Sequence, residues 1–513
     1  MSLLHALETS AEDGSDVMAV LRRYPKSDGT YAKSQLLSAY RSFVVTGELQ
    51  SSLKLERLLR GRPVRTISGV APVAVLTEPY TCPGECLFCP NDSTAPKSYL
   101  DGEPGVLRAI QNAYDPYAQT HARLTSLKAI GHPLDKVELL VLGGTWSAYP
   151  RAYREWFLKR CFDAINMQEA PDLATALRMN EKAQNRNVGL VIETRPDCIT
   201  PDELLELRRH GVTKVQLGAQ SFNDRVLKLN KRGHTLAGTR HAIRLLRLAG
   251  YKIVLHWMPN LYGSTPEDDL VDFGRMWDDP ALRPDELKIY PTALVENTEL
   301  YDLWTAGKYA PYPEQTLIDL LVSCKQLVPP YCRINRLMRD IPAQLIVAGT
   351  TRSNLRQIVQ RTMHKNGQYC QCIRCREIRK AELDMAQLEQ KITSYVTDAT
   401  QEHFIQYVTP KSKIVAFLRL SLPLKLRDEI GIEEIRESAM IREVHVYGPA
   451  QSLGAREDGI QHQGLGTLLL DKAAELARDA GYTNLSVISA VGTRPYYRER
   501  GFVWGDLYPT RSL

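Results

Sequence analysis

Between residues 71 and 312 short apolar runs alternate with amphipathic stretches, a pattern that predicts parallel strands covered by helices. The strands read as Val73–Leu76, Val137–Leu142, Gly189–Glu193, Lys214–Leu217, Lys252–Trp257 and Glu286–Tyr290. Helices such as Asp202–His210 and Thr235–Ala249 lie between them. The expected fold is α/β, a full or partial barrel. In such barrels chemistry gathers at the C-terminal ends of the strands. Those ends here carry 82–89, Gly143-Gly144, Glu193 to Asp197, Gln220-Ser221, His256-Trp257 and Tyr290. At each, a structural ion pair on the rim competes with ligand contact as the explanation.

Before the barrel, 1–70 reads as a basic helical region, with Tyr31 and Tyr40 interleaved among arginines and lysines. A solvated helical face and an RNA-binding face both fit that pattern. Behind the barrel core, 71–330, the stretch 331–390 forms a basic linker in which eleven cations between Arg333 and Lys380 oppose only Asp340 and Glu377. From about Ala381 a helix is expected through Leu383, Leu388 and Ile392. Strands at His403–Val408, Lys413–Leu420 and Ala439–Tyr447, a helix Thr467–Ala480 and a strand Leu485–Ser489 follow, making 391–513 a second α/β domain.

Length and charge add bounds. A chain of 513 residues exceeds one hydrophobic core, so two or three domains are expected. The net charge of +6 says less than its concentration in the linker. No window approaches the run of about 20 apolar residues that spans a bilayer. Glu8, Glu12, Asp13 and Asp16 stand where a signal peptide would be basic and then apolar, so the expected setting is the cytoplasm, with no membrane partner. Ten cysteines are too sparse for a disulfide scaffold, and six fall in two tight groups, as metal ligands do.

The first group is Cys82, Cys86 and Cys89, spaced x3 then x2 behind an apolar strand. Three thiolates on one loop hold three corners of a [4Fe-4S] cluster and leave the fourth iron open to S-adenosylmethionine. This is the signature of radical S-adenosylmethionine enzymes; a zinc knuckle is the competing reading. Gly143 and Gly144 favour the radical reading, because a missing Cβ lets the methionine end of the cosubstrate lie against the chain. Gln220 joins them at a strand end.

The second group, Cys370, Cys372 and Cys375, is best explained by tetrahedral zinc, with a second cluster or three unmetallated thiols as the competing readings and the fourth ligand left open among His364, Cys332 and others. A zinc-pinned loop rich in arginine suits a phosphate backbone. Farther on, Gln463-Gly464-Leu465-Gly466-Thr467 opens a helix, directing backbone amides and the positive helix end at a pyrophosphate. Acetyltransferases of the GNAT fold hold coenzyme A this way. Tyr496 and Tyr497 follow the last strand of that pattern, where a tyrosine orients or protonates a departing thiolate or simply packs in the core.

A radical barrel followed by a coenzyme A domain resembles the catalytic subunit of Elongator in its stand-alone prokaryotic form. The blocks Tyr114–Tyr117, Gly131–Glu138, Gln216–Ser221, Arg442–Gly448 and Gln461–Gly464 carry the likeness, which covers nearly the whole chain from the basic N-terminal region onward. The resemblance implies a radical barrel fused to a GNAT-type domain through a zinc linker. It also implies action on the wobble uridine in the anticodon stem-loop of transfer RNA: a 5'-deoxyadenosyl radical takes hydrogen from the methyl of acetyl-coenzyme A, and 5-carboxymethyluridine results. By the same resemblance acetyl-coenzyme A contacts Lys136, Glu443, Val444, His445, Val446, Leu465 to Thr467 and Tyr497. The short spacing of Cys82 and Cys86 argues against a eukaryotic multi-subunit assembly. An electron donor is required, and a homodimer is compatible with the sequence.

Two other functions share some of these motifs. Protein lysine acetylation with a structural cluster accounts for the C-terminal motifs, but the basic linker would repel lysine-rich tails. A radical enzyme acting on a small molecule has no use for so broad a cationic surface.

Overall fold

The computed structural model describes residues 2–13, 17–25, 30–61, 66, 68–379, 384–447 and 464–513. Seven strands form the first sheet: β1 (Ala71–Leu76), β2 (Lys136–Leu142), β3 (Arg186–Thr194), β4 (Lys214–Gln220), β5 (Lys252–Trp257), β6 (Glu286–Ile289) and β7 (Arg333–Arg336). They pair in sequence order and every pair is parallel, with β1 and β7 left as edges, so the barrel is open. Parallel neighbours need crossovers, and helices supply them. Helix Pro201–Arg209 begins where the Thr200 side chain accepts from the Glu203 amide, with Asp202 and Glu203 in its first turn and Arg208 and Arg209 in its last. Thr235 caps Leu236–Leu248 in the same way. Each such cap contributes about 1 kcal/mol.

The second sheet holds β8 (Glu389–Val396), β9 (Thr400–Val408), β10 (Ile414–Pro423), β11 (Ala439–Val446), β12 (Asn484–Val487), β13 (Val503–Trp504) and β14 (Pro509–Ser512). Its order is β13-β14-β12-β11-β10-β9-β8, and only β11 and β12 run parallel, joined by helix Leu465–Asp479. Register between them covers Ala439 to Ile441 alone. Beyond Ile441 the two strands part, which opens a cleft along β11.

The expected helix through Leu388 and Ile392 is absent: Leu388 leaves a short 3-10 turn and Ile392 lies in β8. Apolar residues four apart mimic a helix here because β8 is an edge strand whose side chains are mostly exposed. Leu383 lies outside the described residues.

Near the N-terminus, helices Ser2–Asp13, Val17–Arg23, Lys33–Val45 and Leu53–Leu59 enclose a small core of their own, including Leu7, Leu37, Tyr40 and Leu59. Arg60 and Arg41 fasten it to the barrel through the carbonyls of Gly131 and Lys128, each at 2.8 Å. Barrel and second domain share one continuous core. Among the described residues no helix is long and apolar enough to cross a membrane.

Candidate active site

Beyond the end of β1, Cys82, Cys86 and Cys89 occupy one loop. Cys86 Sγ accepts from Arg232 Nη1 at 3.0 Å, and Cys82 Sγ lies 3.4 Å from Thr145 Oγ1. Arg195, tied to Asp197 at 2.9 Å and to the Arg232 carbonyl at 2.7 Å, packs so closely under the loop that a Cβ on Gly84 would meet its Nη1 at 1.9 Å. Arg195 Nη1 and Arg232 Nε are buried without a hydrogen-bond partner. Two guanidiniums with unspent hydrogens suit an anionic, thiolate-held group. Burial, then the Cys86 sulfur, pushes the Cys89 thiol up to about 12, so it is a thiolate only when a metal takes the proton's place. The three sulfurs do not form a set within 4.8 Å of one another, a spread that fits cluster corners rather than one ion.

Gly143 and Gly144 stand beside this loop at φ of 137° and 94°. Side chains are excluded there: a Cβ on Gly143 would meet Thr77 Oγ1 at 1.8 Å, and one on Gly144 the Lys97 carbonyl at 2.8 Å. Their amides donate to Glu193 Oε1 at 2.8 and 3.0 Å. The Tyr99 hydroxyl donates to the same oxygen at 2.7 Å. Gln220 adopts φ of 68°, and its buried Oε1 has no hydrogen-bond partner.

A cavity of about 1810 Å³ runs from Cys89, Tyr99 and Glu193 through the barrel to the second domain. The second domain sits against the N-terminal ends of the strands, so the two halves of the cavity lie at opposite ends of the barrel. Buried ions make the junction. Arg442 on β11 grips Asp285 at 2.7 and 2.5 Å and also reaches Glu402 at 2.9 Å and the Tyr251 carbonyl at 2.9 Å. Arg419 bonds Glu443 at 2.9 Å, Lys252 pairs with Glu443 and Glu286, and Lys214 spans Glu138 at 2.8 Å and Glu286 at 3.3 Å. Burial opposes the charge on Asp285, yet Arg442, Arg419 and Arg247 hold its carboxyl well below the usual range. Glu286 is likewise held low by Lys214 and Lys252 against its burial.

Lys136 begins β2 at this end and lines the same cavity as Glu443 to Val446, Gly464, Gly466, Thr467, Tyr496 and Tyr497. Burial lowers the Lys136 pKa. The Glu443 side chain is spent on Lys252 and Arg419, which leaves its backbone as the part of that residue facing the cleft. His445 stacks on Phe417 at 5.7 Å and is held neutral by burial, its pKa down at about 4. Val444 and Val446 continue β11 beside it. Gly464 caps helix Leu465–Asp479 at φ of 78°, with nothing within 4 Å of where a Cβ would stand, and Leu465 is buried beneath it. A Cβ on Gly466 would meet the Tyr496 hydroxyl at 2.5 Å. Tyr497 is buried edge-on to Phe502, and burial raises its pKa. Gln463 lies outside the described residues, as does Gln461.

The sulfurs of Cys370, Cys372 and Cys375 lie within 4.8 Å of one another, and neither His364 nor Cys332 joins them at that distance. Lys325, fully buried, donates to Cys375 Sγ at 3.9 Å, and Cys332 holds the loop through its carbonyl, which accepts from the Ile373 amide at 2.9 Å. The surrounding cations are less available than the sequence implies. Arg333 pairs with Glu377, Arg339 with Glu103 and Arg352 with Glu314, while Arg356 and Arg376 bind the carbonyls of Ile334 and Pro330. Arg361, Lys365 and Arg379 remain exposed.

Of the residues named from the sequence, Cys89, Gln220, Lys136 and Glu443 to Val446 come together on one cavity, whereas Arg232 and the ionic junction went unnamed. Arg232 is one basic residue in a loop, with no spacing signal. Arg442 and Asp285 are far apart in the chain, and only the fold makes them partners.

The chain matches the family models described as the Radical SAM superfamily over residues 79–274 and the Radical_SAM C-terminal domain over 284–365. It is 42% identical to the tRNA uridine(34) acetyltransferase of Dehalococcoides mccartyi, covering 85% of this chain and 96% of that one. The tRNA uridine(34) acetyltransferase of Methanocaldococcus infernus is 40% identical, with 89% and 88% covered, and the Elongator complex protein 3 of Drosophila melanogaster is 38% identical, with 89% and 85% covered. A solved structure of the archaeal Methanocaldococcus infernus Elp3 with an N-terminal deletion superposes with a TM-score of 0.77 at 36% identity, covering 87% of this chain and 100% of that chain.

Proposed function

Because the chain belongs to the family of tRNA uridine(34) acetyltransferases and Elongator complex protein 3, we propose that it is a radical S-adenosylmethionine acyltransferase acting on the wobble uridine of transfer RNA. Acetyl-coenzyme A supplies the two-carbon unit, and the product is 5-carboxymethyluridine. The observation that carries this reading is the single cavity reaching from the cysteine loop to β11 and Gly464. An enzyme that merely acetylated lysine would need only the second half.

Cys82, Cys86 and Cys89 hold a [4Fe-4S] cluster whose charge Arg195 and Arg232 offset. When bound, cluster and S-adenosylmethionine supply a one-electron cleavage that yields a hydrogen-abstracting radical. Glu193 fixes the glycine turn and Tyr99 beside it, shaping the cosubstrate's seat, and Gln220 offers it an unspent amide oxygen. At the other end Lys136, the backbone of Glu443 to Val446 and the turn Gly464 to Thr467 hold acetyl-coenzyme A. Tyr497 keeps its proton at neutral pH and so serves as the donor to the departing thiolate, with Tyr496 packed edge-on at 5.2 Å.

Cys370, Cys372 and Cys375 hold zinc, a choice supported by the tight sulfur triangle and the Lys325 ammonium against it. Arg361, Lys365 and Arg379, with the basic N-terminal helices, meet the phosphates of the anticodon stem-loop. The setting is the cytoplasm, where an electron donor reduces the cluster. The test is anaerobic turnover of the reconstituted protein with S-adenosylmethionine, dithionite, methyl-labelled acetyl-coenzyme A and bulk transfer RNA, read by nucleoside mass spectrometry. Labelled carboxymethyluridine is expected; label confined to protein lysines would overturn the assignment.

A further inference from the structure

The barrel interior presents three lysines along adjacent strands. Lys214 on β4 and Lys252 on β5 are both locked to carboxylates. Lys288 on β6 is different. Among the described residues its ammonium has no carboxylate or hydrogen-bond acceptor, and its one close neighbour is the Tyr290 ring, 5.9 Å from Nζ to centroid. The side chain lines the cavity.

Its place along β6 is what gives this meaning. Glu286, two residues earlier, belongs to the chain of ion pairs through Lys252 to Glu443 on β11. Two residues of strand rise about 7 Å. Lys288 therefore stands one step into the barrel from the edge that lines the acyl cleft. Glu193, near the C-terminal end of β3, lines the same cavity and is the carboxylate that acts most strongly on it, and Glu193 carries the glycine turn beside the cysteine loop. His256, paired with Lys288 in the sheet, bonds Gln216 at 3.0 Å and is held neutral by burial, so it offers no countercharge. A cation left unpaired in such a place is costly unless something fills the position. Burial brings its pKa down to about 8, which leaves it mostly charged at neutral pH.

We propose that Lys288 holds the thioester carbonyl of the acyl donor, donating to its oxygen midway between the two half-sites. This rests on acetyl-coenzyme A being the donor. The ammonium offers three hydrogens and no acceptor, so it matches a carbonyl oxygen and nothing else on a thioester. Donation to that oxygen fixes which way the methyl points and draws electron density from it. The methyl is thereby turned toward the Glu193 side of the cavity, where hydrogen is removed.

The test compares binding of acetyl-coenzyme A and of ethyl-coenzyme A, the thioether that lacks the carbonyl, to the full chain by calorimetry. It needs neither cluster nor turnover. Wild-type protein is expected to prefer the thioester on the order of tenfold, as one charge-assisted hydrogen bond allows. Lys288→Met should bind both alike, at the wild-type affinity for the thioether, which also shows that the site is intact. Should that variant fail to fold, Lys288→Gln, a weaker neutral donor, is expected to keep only part of the preference. A wild-type ratio in either variant overturns the assignment, as does wild-type protein that binds both ligands equally. Wild-type protein that binds neither would instead remove the donor reading itself.

Discussion

Asp285→Ala is the perturbation that most clearly probes how the two halves are held in register. Its carboxylate, fully buried, receives both forks of Arg442, the Ile253 amide at 2.9 Å and a longer contact from Arg419 at 3.5 Å. Deleting it strands Arg442, Arg419 and Arg247 as buried cations with only Glu402 and Glu443 left among them. Breaking a buried pair from one side costs about 3–5 kcal/mol. That raises the population of the opened junction by on the order of 10²–10⁴. Native-state hydrogen exchange along β5 and β11 reads this directly, because those amides exchange only when the junction opens. The exchange rate of these strands should rise by that factor while the small N-terminal core is unaffected. Adding Arg442→Met should recover part of the loss, since replacing both partners with apolar groups is far milder than removing one. A rise below tenfold in Asp285→Ala would refute the view that these ions fasten the domains.

The same junction predicts a pH dependence. Asp285 and Glu286 have depressed folded-state pKa values, so their stabilisation is full above the unfolded values of about 4 and is lost as pH falls below them. Junction opening should be flat from pH 5 to 8 and increase below about pH 4; an opening that grew between pH 5 and 7 would point to histidine instead. Cys372→Ser should release bound zinc, measured by metal analysis, and expose the loop to protease; full zinc content in that variant would remove Cys372 from the ligand set. Arg361→Glu with Lys365→Glu should weaken transfer RNA binding and flatten its salt slope by about 1–2 units, roughly one per lost phosphate contact, whereas an unchanged slope would move the RNA face elsewhere.

The barrel was legible because parallel strands are buried on both faces: the expected Lys252–Trp257 agrees with β5 to the residue. The cysteine loop and the glycine turn at Gly464 could be picked out because cysteine spacing and glycine turns are local features. What escaped were relations between distant residues. The linker's arginines look unopposed in sequence, yet Glu103 and Glu314 come from far upstream to pair with Arg339 and Arg352. Lys288 reads as one polar position in the strand Glu286–Tyr290, and its lack of a partner is visible only once Lys214 and Lys252 are seen to have theirs. The edge strand β8 misleads because it buries too little to show a period of two.

The proposed path of the acyl donor, from the second domain through the barrel to the cysteine-loop end, is tested by supplying acetyl-coenzyme A with a fully deuterated methyl group, with S-adenosylmethionine, reductant and transfer RNA, and weighing the 5'-deoxyadenosine formed. One deuterium per molecule is the predicted result. Deoxyadenosine without deuterium, formed alongside modified uridine, would mean that the hydrogen comes from elsewhere and that the cavity does not carry the donor between the two ends.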